Sequence, residues 1–268
     1  MGKLFGESSD KKRIAVSVAA AIIITVVFGL VEFISDRSGL YTNNRTLYLI
    51  DSVYRMIFGI IATIVLFSLS QRSFRDIYFG KIPRVTWLLL LPVYVYLFSL
   101  VDVLIRADRV TFEYVLSFAA CVLQQIATGF FEETLYRGVV MSSFRPHYSE
   151  KKWRIEAVLT SGMVFGFAHA FNFIFYRDMS GTLDRVFMTM IWGMFIAAIY
   201  MISDNLLLVM VVHAIWDIFI HLPGFFFDPA PGSSLYSSIG DDVRIIVHPI
   251  ILCIMAIVIC SKADSISN

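Results

Sequence analysis

The stretch IAVSVAAAIIITVVFGLV, residues 14–31, contains no charged side chain and only Ser17 and Thr25 as polar ones. A helix rises 1.5 Å per residue, so a run of this length approaches the roughly 30 Å of bilayer hydrocarbon. Lys3, Lys11, Lys12 and Arg13 precede it, as basic residues precede a secretory signal. The run is longer than a signal core, however, and no small-x-small cleavage pattern follows before Glu32. It reads as a retained first span. Working outward, comparable apolar blocks occur at 48–70, 86–105, 112–136, 155–173, 184–203, 205–222 and 243–260, separated by short charged stretches. These blocks predict an all-α, polytopic helical membrane protein with about eight transmembrane helices. They leave no room for a soluble domain, so residues 1–268 are expected to form one membrane domain. Composition agrees: 58% of residues are hydrophobic and only 16% charged, with a mean hydropathy of +0.75. A soluble domain carries about a quarter charged residues.

Basic residues set the orientation. With the N-terminus in the cytoplasm, that side holds Lys3, Lys11–Arg13, Arg72, Arg75, Lys81, Arg84, Arg145, Lys151, Lys152, Arg154 and Lys262. The other side holds Arg37, Arg45, Arg106, Arg109, Arg177, Arg185 and Arg244, which is 13 against 7. The positive-inside rule therefore predicts both termini in the cytoplasm. The basic, aromatic segment 71–85 is expected at the membrane interface, and Pro146 breaks a second basic connection at 137–154. The segment 222–242, with three prolines and three consecutive phenylalanines, reads as an irregular external loop. The net charge of +1 says nothing about nucleic acid, but no basic face with interleaved aromatics exists outside these loops, so no nucleic-acid partner is expected. Cys121, Cys253 and Cys260 lie in apolar segments and read as packing residues. No acylation or prenylation motif is present.

An ionisable side chain near the bilayer centre costs about 2.5–3.5 kcal/mol on insertion scales, so each needs a partner or a use. Three clusters stand out: Glu132, Glu133 and Arg137; Phe165 and His169; His213 and Asp217. Glu133 and Arg137 are four apart with Glu first, the favourable order for a helical ion pair. Glu132 points about 100° away and is free to face something else. His213 and Asp217 again share one helical face. A carboxylate and two imidazoles in a dry cavity can activate a water by general base catalysis. Alternatively, Glu132, His169 and His213 can ligate a metal, with Zn²⁺ the candidate cofactor. Each residue taken singly has an ordinary explanation: a helix-packing histidine, or a Glu-Arg pair snorkelling at a membrane edge. Asp51 and Arg55, four apart, are expected to neutralise each other. Asp102, Glu113 and Asp184 are expected at headgroup level, and His221 and His248 near the external face.

The ordered set Glu-Glu-x-x-x-Arg (132–137), Phe-x-x-x-His (165–169) and His-x-x-x-Asp (213–217) resembles the CPBP family. That family comprises the CAAX prenyl endopeptidases of the Rce1 type and the bacteriocin-processing and self-immunity proteins once grouped as abortive-infection proteins. The motif core spans about 112–222. The resemblance implies an intramembrane protease in which Glu132, with His169, activates water. It implies His213 and Asp217 as the pair that stabilises the transition state, with Glu133 and Arg137 in support. Asp217 stands where the prenyl endopeptidases tend to have Asn, which leaves a metal-ligand role open beside the oxyanion role. The family carries a metalloprotease label, and a metal-free glutamate mechanism competes with it. The implied substrate is a membrane-embedded or lipidated peptide: a prenylated tail, or a bacterial leader or bacteriocin precursor. The multi-pass chain is expected in a bacterial plasma membrane, with its catalytic residues near the cytoplasmic side. Two other classes compete, a non-catalytic immunity or scaffold protein of the same fold and an ion-coupled transporter. Transporters often show inverted repeats and helices interrupted in matching halves, and neither feature is present.

Overall fold

The computed structural model describes residues 2–70, 72–95, 97–98, 112–147, 150–221 and 248–266. The helices are α1 (Gly2–Arg37), α2 (Asn44–Leu69), α3 (Phe74–Tyr78), α4 (Val85–Leu89) and α5 (Phe112–Glu133), which continues as a π-helical segment, Thr134–Met141. There follow α6 (Lys151–Ala168), a 3₁₀ turn (His169–Phe171), α7 (Asn172–Tyr176), α8 (Met179–Ser203), α9 (Leu206–His221) and α10 (His248–Ile266). Among the described residues there is no strand. Five helical stretches are long and apolar enough to cross a bilayer: Asp10–Arg37, Asn44–Leu69, Glu113–Met141, Lys151–Phe175 and Met179–Ser203. Leu206–His221 and Pro249–Ala263 are shorter apolar helices. The chain is thus a polytopic helical membrane protein. Of the expected block 86–105, residues 97–98 and most of those before 96 are helical and the rest lies outside the described residues. The same holds for Asp102, Arg106, Arg109, Arg244 and the loop 222–242.

Large apolar side chains cover the outside of the bundle. Ile23 of α1 and Ile64 of α2 are each 61% exposed, with Ile22, Leu30, Ile34 and Ile60 beside them. Water would penalise such a surface and hydrocarbon does not. α8 is the exception, with every residue from Ile191 to Ser203 except Met194 buried. Glycines let α6 approach it. A β-carbon at Gly166 would lie 2.8 Å from the Val186 carbonyl oxygen, and one at Gly162 would lie 2.9 Å from the Met194 nitrogen. This small-x-x-x-small spacing brings backbones together where burial of apolar area offers little drive.

α2 and α5 run parallel, as the pairs Arg45–Glu113 and Asp51–Gln124 show. α9 returns antiparallel to them, with Leu206 near Gly138 and Ala214 near Gly129. At the end of the bundle where α8 turns into α9, Asp204 adopts the left-handed conformation (φ 47°). Its carboxylate pairs with Arg72, and with Arg145 at 2.6 Å. Burial works against the Arg72 charge, but the Asp204 carboxylate outweighs it and raises the guanidinium pKa. Asn205 caps α9 by accepting from Leu208 N at 2.8 Å and donates to the Gly80 carbonyl. This clasp fixes the start of the helix that carries His213.

Candidate active site

The fourth span does not stop at 136. The helix runs on through the π-helical segment to Met141, which places Glu132 about ten residues, or about 15 Å, inside its end. Glu132 therefore lies well within the span, not at its border. π-helical turns reorient side chains and often mark functional sites. Here Arg137 turns inward, where both it and Glu133 are 0% exposed and 3.0 Å apart. This pair does not snorkel. Arg137 Nη2 donates to the Gly193 carbonyl of α8 at 3.0 Å, and its guanidinium lies 4.8 Å from the Phe165 ring centre.

Phe165 of α6 explains the spacing of its motif. Its carbonyl sits 3.0 Å from His169 Nδ1, so that nitrogen carries the proton and Nε2 keeps its lone pair in the neutral ring. The Phe165 ring meets His169 edge-on at 5.0 Å and His213 edge-on at 5.8 Å. Both imidazoles are thus set by one aromatic wall. His213 Nδ1 lies 2.6 Å from Glu133 Oε1, and its Nε2 lies 3.3 Å from Asp217 Oδ2 and 3.7 Å from Glu132 Oε2.

A cavity of about 440 Å³ opens beside this cluster. Glu132 and His169 line it together, with Phe131 and Tyr136 at its buried end. His213 and Asp217 are not part of the lining; His213 stands behind Glu132. The walls run to Asp36, Tyr41, Leu47 and Arg185, where α1 ends and α2 and α8 begin. Asp36 and Arg185 are exposed, so the mouth lies at this end. It is the end opposite Asp10, Arg13 and His147, which cluster by hydrogen bonds and ion pairs.

The second span contributes more than a self-neutralising pair. Arg55 Nε holds Asp51 at 2.7 Å, Nη1 reaches Glu132 at 3.2 Å and Nη2 reaches Glu32 of α1 at 3.1 Å. Gln124 of α5 also donates to Asp51. Arg55 and Glu32 are the site residues that sequence reasoning missed. The available signal was an arginine near the middle of a span that runs parallel to the one bearing Glu132.

The donor set suits a metal poorly. Among the described residues no group of three or more His, Cys, Asp or Glu side chains is arranged to hold a metal ion. Within the expected triad, His213 has each ring nitrogen facing a carboxylate, and Glu132 Oε1 is taken by Arg55. What the arrangement provides is a carboxylate and an imidazole lone pair facing one cavity, backed by a second imidazole.

Residues 114–219 match the family described as type II CAAX prenyl endopeptidase Rce1-like. The match contains Glu132, Glu133, Arg137, His169, His213 and Asp217, and excludes Glu32, Asp51 and Arg55. Neither the curated proteins nor the solved structures return a match.

Proposed function

We propose, from the Rce1-like peptidase domain at residues 114–219, that the chain is an intramembrane endopeptidase that hydrolyses a membrane-embedded or lipidated peptide with a glutamate-activated water. The observation that carries this reading is the shared cavity wall of Glu132 and His169. Glu132 takes a proton from a water that His169 Nε2 orients, and the water oxygen attacks the peptide carbonyl carbon. His213, held by Asp217 and Glu133, stands behind Glu132 with Nε2 3.7 Å from its Oε2 and backs the carboxylate that activates the water. Collapse of the tetrahedral intermediate breaks the C–N bond, and the proton held by Glu132 passes to the leaving nitrogen. Asp217 in this scheme accepts from His213 and acts through it, so it has no need to be a donor. With both termini cytoplasmic, the mouth faces the external side of a bacterial plasma membrane, and leader or precursor peptides enter there.

The test is Glu132→Ala in purified protein. Cleavage of membrane-attached peptides should fall by at least about 10²-fold while helix content and elution volume hold. Unchanged cleavage would remove Glu132 from the reaction. A cellular phenotype that survives the substitution would mark a scaffold.

A further inference from the structure

The cavity wall carries four carboxylates, Glu32, Asp36, Asp51 and Glu132, and two guanidiniums, Arg55 and Arg185. Arg55 already faces three of the carboxylates, with one contact each from Nε, Nη1 and Nη2. Three carboxylates sharing one guanidinium leave negative charge that low-dielectric surroundings tolerate only with another cation nearby, whether a proton or a ligand's. Asp51 shows the same imbalance. It is 4% exposed, with Arg55 and Gln124 on its Oδ2 and the Glu32 carboxyl against it. Glu32 and Asp36 are four residues apart on α1, so they stack one turn apart and lead from the exposed mouth toward Arg55. Tyr41 and Phe175 add aromatic wall beside them, against which an aliphatic stem and a cationic head both pack well.

We propose that this cavity selects peptides bearing a lysine or arginine side chain, seated along Glu32 and Asp36 beside the carboxylates that Arg55 gathers. The inference rests on the peptidase reading for its peptide. Glu32 and Asp36, along which the side chain is seated, come from α1, outside the segment that matches the Rce1-like family.

The experiment measures binding of acylated fluorescent peptides, identical except for a central Lys, Gln or Glu, to the full chain in phosphatidylcholine nanodiscs. Empty nanodiscs serve as the blank. The Lys peptide should bind about tenfold more tightly than the Gln peptide, and the Glu peptide more weakly than either. Asp36→Asn should shrink the Lys/Gln ratio, and Asp36→Lys should abolish it. Asp36 lies at the exposed rim, and the ratio is independent of the fraction of active protein. Equal affinities for the three peptides overturn the proposal, as does a ratio that both Asp36 variants leave intact. Lys preference without cleavage of any peptide supports this inference and overturns the peptidase reading. Cleavage without charge preference does the reverse.

Discussion

Arg137 shows how one buried side chain holds a site together. It pairs with Glu133 one turn away, donates to Gly193 on α8 and lies over Phe165 on α6, while Glu133 in turn holds His213 on α9. Arg137→Met would leave buried Glu133 with His213 but without its guanidinium, and removing one member of a buried pair costs about 3–5 kcal/mol. A marked fall in the thermal midpoint in detergent should report it. Arg137→Lys should rescue little, because an ammonium lacks the planar fork that reaches two partners. Arg55 invites a different expectation. It fixes Glu132 Oε1 and leaves Oε2 toward His213. Arg55→Met should therefore lower kcat for peptide cleavage by about tenfold or more with KM little changed, and Arg55→Lys should recover part of it. A loss confined to KM would place Arg55 in substrate binding instead.

At the scale of elements, the helices were legible in the chain and several of their ends were not. The apolar run 14–31 and the blocks 48–70 and 184–203 became α1, α2 and α8 because each is long and free of proline. The block 155–173 became α6, a 3₁₀ turn and α7, since the backbone tightens at His169. The extension of α5 through a π-helical segment had no signature, because Gly138 and its β-branched neighbours do not tell a π turn from an α turn, and the segment packs against α2 and α6. The α6–α8 contact yields a prediction at this scale. Gly166→Leu would drive a side chain into the backbone near Val186 and into Met190. Overpacking of this kind costs about 1–3 kcal/mol. It should lower the thermal midpoint and weaken cleavage, since α6 carries His169. A neutral result in both assays would mean that α6 and α8 separate more freely than their glycines suggest.

For the whole molecule, the cavity and the basic loops lie at opposite ends. Its mouth is formed by the α1–α2 connection and the start of α8, whereas Arg13, Arg72 and Arg145 cluster at the other end through Asp10 and Asp204. With the N-terminus cytoplasmic, as the positive-inside rule predicts, the mouth would open on the external face. Ser38→Cys, in the exposed α1–α2 connection, should react with a membrane-impermeant maleimide added to intact cells. Cys121 and Cys260 are buried and should stay silent. Labelling of Ser38→Cys only after lysis would reverse the topology and turn the cavity toward the cytoplasm.

The sequence by itself determined that the chain crosses a membrane on helices and that Glu132, Glu133, Arg137, His169, His213 and Asp217 are unusual there. Hydropathy accumulates along a contiguous run and each motif spans at most six consecutive residues, so both are local properties. Only the tertiary structure decided which charges meet. Arg55 reaches Glu132 across 77 positions, and His213 reaches Glu133 across 80. Such pairings depend on the rotation and depth of separate helices. Those are fixed by interhelical packing, which no single segment encodes.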